Sequence, residues 1–159
     1  MNKYIITEGA DDVYYIGNIF RNLKDDGWML SPIGGGKSEA IALAESLAIR
    51  HTNGKIVLAI DLDEIELRKN QMSPVEMRLC KYNNIEIIFA VPDIESEILR
   101  MIKPDEGILR KLIYSLTQKR EIVKQEFDKF VRGNRKFNQT EYFKKIQKAI
   151  GRAKPKLAA

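Results

Sequence analysis

Hydrophobic positions change their spacing several times along the chain, and each change marks an element. Residues 3–7, Lys-Tyr-Ile-Ile-Thr, are β-branched and aromatic and predict a short strand. Glu8-Gly9 breaks it. From about Asp11 to Lys24, Val13, Ile16, Ile19, Phe20 and Leu23 recur at helical spacing. Asp25-Asp26-Gly27 turns the chain into a second short strand, residues 28–33. Gly34-Gly35-Gly36 then leads into an Ala- and Leu-rich helix from about Lys37 to His51. Ile56-Val57-Leu58-Ala59-Ile60 is an unbroken apolar run, as expected of a strand buried on both faces of a parallel sheet. A helix around residues 74–82 and a second such strand, residues 85–91, follow. From about Asp93 onward the pattern is helical only: 94–102, 105–131 with a break, and 139–150, with Gly133-Asn134 between the last two and Pro155 ending the periodicity. Strand alternating with helix predicts a doubly wound, mainly parallel, four-stranded α/β domain over residues 1–103. Residues 104–159 form a helical extension packed on it or appended to it.

Charge is also unevenly divided along the chain. Residues 111–159 hold fourteen Lys/Arg against Glu121, Glu126, Asp128 and Glu141, a balance of +10, so the first 110 residues carry −5 of the net +5. A basic extension on an acidic body predicts a polyanion partner, because Lys and Arg displace counterions from a phosphate backbone. The candidate contacts are Lys129, Arg132, Arg135, Lys136, Lys144 and Lys145, together with Lys37 after the glycine run. Phe127, Phe130, Phe137, Tyr142 and Phe143 lie among these basic residues, but their spacing fits an amphipathic helical core better than base stacking. No apolar run approaches the ~20 residues of a membrane span, the first residues show no leader pattern, and a lone cysteine, Cys80, fits a reducing compartment. A cytoplasmic location without membrane association is the expectation. Cys80 and Trp28 read as buried packing residues, and His51 as a residue at a helix end.

The chemistry lies in the acids at the strand ends. Ligands in open α/β sheets bind beyond the carboxyl ends of the strands. Glu8 follows the first strand, and Asp61-Leu62-Asp63 follows the third. Residues two apart in extended backbone share a side, so Asp61 and Asp63 can face one ion. Right-handed crossovers bring Glu8 to the same edge. Carboxylates converging there repel unless a cation lies between them, and hard oxygen ligands suit Mg²⁺ or Mn²⁺.

Thr7-Glu8-Gly9-Ala10-Asp11-Asp12-Val13 after a first strand, with Ile60-Asp61-Leu62-Asp63 after a later buried one, resembles the Toprim domain. That domain is shared by topoisomerases, bacterial primases and the nucleases of the OLD (overcoming lysogenization defect) group. The resemblance covers roughly residues 3–100 and is closest in pattern to the OLD-type group. It implies a Toprim-like sheet and metal-dependent phosphodiester cleavage of DNA or RNA, with Mg²⁺ or Mn²⁺ as cofactor. It assigns Glu8 as general acid or base and as a metal ligand, and Asp61 and Asp63 as the metal-binding pair. Asp12 falls where OLD-type members carry a second acid. Glu95 and Glu97 fall where further acidic ligands occur, and which of the two is a ligand stays open. OLD-type Toprim domains are often coupled to ATPases, so a separate ATPase subunit is an implied partner, and a non-catalytic or regulatory subunit is the alternative reading. The chain shows neither a tyrosine-bearing topoisomerase module nor a primase zinc module, so those complete enzymes are not expected.

Two other motifs compete. Gly36-Lys37-Ser38 resembles the end of a phosphate-binding P-loop, but the full pattern requires glycine where Ser31 stands, and a strand and helix already precede it. Nucleotide hydrolysis is therefore the weaker reading. Asp61-Leu62-Asp63 also resembles the nucleophile segment of haloacid-dehalogenase phosphatases, but Glu64-Ile65 replaces the Gly-Thr expected there.

Overall fold

The computed structural model describes residues 2–32, 35–62, 72–102, 116–133 and 140–151. Four strands form one sheet: β1 (Lys3–Thr7), β2 (Trp28–Pro32), β3 (Lys55–Asp61) and β4 (Ile85–Ala90). All neighbours are parallel and the order is β2-β1-β3-β4. Helices α1 (Ala10–Ile19), α2 (Lys37–Arg50), α3 (Pro74–Leu79) and α4 (Ile94–Ile102) lie between and after the strands. Helices α5 (Leu116–Arg132) and α6 (Glu141–Ala149) form the C-terminal region. This is the doubly wound α/β architecture that the alternation predicts.

Strand periodicity explains how one sheet carries two cores. Successive side chains point to opposite faces, so Ile5, Val57, Ala59 and Ile88 join one cluster while Ile6, Ile56, Leu58 and Ile60 join the other. The second face is covered by α2 and α3, through Ala40, Ala44, Ala48 and Leu79. The first is covered by α1 and α4 together with α5 and α6, through Tyr15, Ile98, Phe127, Phe143 and Ile146. The C-terminal helices are therefore packed on the α/β unit and share its core. Phe127, Phe130, Tyr142 and Phe143 are all buried there, in agreement with the amphipathic-core reading; Phe137 lies outside the described residues.

Local differences from the expected pattern have physical causes. Helix α1 stops at Ile19, five residues before the periodicity ends, because Asn22 takes a left-handed backbone (φ 63°), a conformation asparagine tolerates better than most residues. Phe20 and Leu23 stay buried beyond the helix end, which is why the apolar spacing continues without helix. Trp28 is buried as expected, whereas Cys80 is exposed, its thiol donating to the Met77 carbonyl at 3.3 Å. His51 caps the C-terminus of α2 and meets the Asn2 side chain at 2.7 Å. Ser73 and Glu76 close a capping box at the start of α3. No helix among the described residues is long and apolar enough to cross a membrane.

Candidate metal centre

The strand order sets the position of the site. From β1 the chain moves outward to β2, then returns to place β3 on the other side of β1. The crevice at such a switch point opens between the carboxyl ends of β1 and β3, and both ends bear acids. Glu8 leaves the end of β1, and its Oε2 accepts the Asp61 backbone N–H at 2.6 Å. Asp61 is the last residue of β3, and its Oδ1 accepts the Ile94 N–H at 3.0 Å, tying the carboxylate to the start of α4. The Leu62 N–H is shared between the carbonyls of Ala90 and Pro92, both at 2.9 Å, which holds this turn against the end of β4. Asp12 enters from the first turn of α1.

Glu8, Asp12 and Asp61 each bring a carboxylate oxygen within 4.8 Å of the others. Three carboxylates at that separation are an all-oxygen donor set able to hold a metal ion. The cleft around them encloses about 380 Å³ and is lined also by Gly9, Ala10, Asp11, Gly36, Glu95 and Arg120. Asp12 is only 7% exposed. Burial, then the charges of Glu95 and Glu8, push its carboxyl up to about 7. A cation would remove that repulsion, so the electrostatics of the pocket fit the donor set.

The two glutamates of α4 divide. Glu95 lines the cleft, with Oε1 at 3.7 Å from Arg120 Nε. Glu97 is not among the residues lining the cleft and makes bonds within the fold: it accepts from the Val91 N–H at 3.3 Å and from Thr140 Oγ1 at 2.6 Å, and it pairs with Arg100. Asp93 caps the same helix by accepting from the Ser96 N–H and hydroxyl at 2.8 and 2.7 Å. Asp63, the second member of the expected pair, lies outside the described residues, as do Arg135 and Lys136. Lys37 opens α2 beside Gly36, whose left-handed backbone (φ 85°) makes the glycine turn. Lys129 and Arg132 are exposed on α5, and Lys144 and Lys145 on α6.

Two residues near the cluster escape a reading of the sequence. Arg120 arrives from α5, more than 50 residues from the nearest acid of the cluster in sequence. Tyr142, buried on α6, has its hydroxyl pKa held well above its usual value, first by burial and then by Asp12, Asp61, Glu97 and Glu8. Both belong to helices whose periodicity is legible, but whose docking on the sheet is set by tertiary packing.

Searches against protein-family models, curated proteins and solved structures find no match to this chain. The fold and the acidic centre therefore rest on the chain's own residues.

Proposed function

We propose that the chain carries out Toprim-type, Mg²⁺- or Mn²⁺-dependent phosphodiester cleavage of nucleic acid. The convergence of Glu8, Asp12 and Asp61 at the switch point of the sheet carries this reading. Glu8, Asp12 and Asp61 would hold the cation, with Glu95 on the adjoining wall. The bound cation would polarise a phosphoryl oxygen and stabilise the charge that develops in the transition state. Glu8, whose Oε2 accepts the Asp61 amide N–H, would take a proton from the attacking oxygen or give one to the leaving oxygen. The exposed Lys129, Arg132, Lys144 and Lys145 would hold the strand through its backbone, which needs no sequence recognition.

The test uses the full chain with supercoiled DNA, single-stranded DNA and structured RNA, each with Mg²⁺ or Mn²⁺, with metal affinity measured in parallel by calorimetry. Wild type is expected to bind the cation and cleave at least one substrate. Glu8→Gln is expected to slow cleavage by ~10²–10⁴-fold, the range for loss of a general acid or base, while weakening substrate binding far less. Cleavage that is undiminished in Glu8→Gln, or a wild type that binds no divalent cation, overturns the proposal. Metal-dependent binding of nucleic acid without cleavage, alone or with an ATPase partner, would instead assign a binding or regulatory subunit.

A further inference from the structure

We infer that Arg120 is the residue through which the cleft grips the phosphate of its substrate, so that the site selects a phosphodiester over a neutral or cationic ligand. The inference rests on the metal-dependent reading of the same cleft, and it adds the substrate contact that the acids cannot provide. Carboxylates meet an anion only through a cation. Among the described residues lining the cleft, Arg120 is the one cationic side chain, set against Glu8, Asp11, Asp12, Asp61 and Glu95.

Its geometry is not that of an arginine committed to a structural pair. A charge-assisted bond between guanidinium and carboxylate closes to about 2.7–2.9 Å, commonly through two parallel N–H donors. Here Nε stands 3.7 Å from Glu95 Oε1, the Arg120 side chain is 56% exposed, and it makes no hydrogen bond to another described residue. Contrast Arg100, which hydrogen-bonds the Glu97 carboxylate and the Val91 carbonyl. Glu95 thus steers the guanidinium over the cleft by charge while leaving its planar fork of donors for a second partner. Two anionic oxygens on one phosphorus match that fork, whereas a lysine would offer only a point charge.

The helix beneath Arg120 is anchored. Four residues on, Lys124 Nζ lies 5.0 Å over the Tyr14 ring. Further along, Phe127 packs edge-on against Tyr15 with centroids 5.0 Å apart, and Asp128 accepts the Tyr14 hydroxyl. Helix α5 is thereby locked to α1, the helix that bears Asp12, so Arg120 and the acidic cluster hold a fixed relation. In the unloaded cleft the acids repel a phosphate. The contribution of Arg120 to binding must therefore depend on the divalent cation.

The experiment measures binding of a fluorescein-labelled 20-nucleotide oligothymidylate by the full chain, with Ca²⁺ or with chelator, across a salt series. Wild type, Arg120→Ala, Arg120→Lys and Lys81→Ala are compared; Lys81 is exposed on the opposite side of the sheet beside Tyr82 and controls for loss of one positive charge. In Ca²⁺, Arg120→Ala is expected to bind ~10-fold more weakly, as loss of a charged hydrogen-bond donor implies. Its salt slope is expected to fall by about 0.7, one single-strand phosphate contact. Arg120→Lys should recover the slope but not the full affinity, and Lys81→Ala should stay within about twofold of wild type. Ca²⁺ affinity, titrated separately, should be retained in Arg120→Ala. Wild-type oligonucleotide affinity in Arg120→Ala, or an equal loss in Lys81→Ala, overturns the assignment while leaving the metal centre standing. Failure of wild type to bind Ca²⁺ or Mg²⁺ overturns the functional reading beneath it as well.

Discussion

Asp12 concentrates the electrostatic tension of the centre. Its carboxyl is pushed up to about 7 from an ordinary value of 3.8 by burial and by Glu95 and Glu8. A folded-state value above the unfolded one means that the folded protein binds the extra proton. Its contribution to stability is then fully present below pH ~4 and is lost as pH rises through ~7. Asp12→Asn is therefore expected to raise the melting temperature of the metal-free protein at pH 8 and to leave it nearly unchanged at pH 4. At about 1.4 kcal/mol per pH unit, the gain at pH 8 is at most ~4 kcal/mol. Thermal melts in chelator at the two pH values check this, and equal shifts at both would contradict it. On the proposed reading the same proton would govern metal loading. A carboxylate must be ionised to bind a cation, so Mg²⁺ or Mn²⁺ affinity should climb between pH 5.5 and 7.5, with proton release measurable by calorimetry in buffers of different ionisation enthalpy. Binding without proton release near pH 6 would exclude Asp12 as a ligand.

Elements decide how much of this is legible in the sequence. Strand β3 is legible because a central parallel strand covered on both faces demands a continuous apolar run. Strands β1 and β4 are legible from β-branched and aromatic residues, with Glu86 interrupting the apolar run of the edge strand β4. The acids stand out where β1 and β3 end. Glu8 and Asp61 follow directly. Asp12 comes only through the resemblance, and its burial and its nearness to Glu95 are products of tertiary packing that could not be read locally. The choice between Glu95 and Glu97 was beyond reach for the same reason. They sit two apart on one helix, and only the docking of α6 shows Glu97 held by Thr140 while Glu95 faces the cleft. This division makes a prediction for α4. Glu97→Ala leaves the Val91 amide and the Thr140 hydroxyl without their acceptor and should destabilise the fold by ~2–4 kcal/mol, with Mg²⁺ affinity of the folded protein within a few-fold of wild type. Glu95→Ala should do the reverse, with little loss of stability and weaker metal binding. Denaturant unfolding and calorimetry on both variants separate the roles, and a Glu97→Ala protein that folds normally but no longer binds metal would reverse them.

For the whole molecule, the change of charge near residue 110 suggests a separable basic module, but the packing argues for one cooperative unit. Val123, Phe127, Phe130, Tyr142, Phe143 and Ile146 are buried against the same face of the sheet as Ile5, Val57 and Ile88. Lys55, at the start of β3, donates to the Ala149 carbonyl at 2.5 Å, so α6 is fastened from the Thr140–Glu97 bond at one edge of the sheet to its own C-terminus at the other. Charge marks the outer faces of α5 and α6, while their inner faces complete the core. Ending the chain after Met101 removes those faces and exposes Tyr15, Phe20 and Ile98 to water. Each large side chain stripped of its cover forfeits about 1.5–3 kcal/mol of burial, and several such losses exceed the ~5–15 kcal/mol by which a domain is stable. The truncated chain is therefore expected to lack a cooperative melt and to lose nucleic-acid binding through unfolding, not through loss of charge alone. Phe127→Ala offers the graded version, because it deletes no charge and alters no exposed residue. It should lower stability by ~3–5 kcal/mol, and where folded protein remains, the salt dependence of its oligonucleotide binding should match wild type. A chain ending at Met101 that melts cooperatively with near-native helix content by circular dichroism would show instead that the sheet with α1–α4 is an autonomous domain.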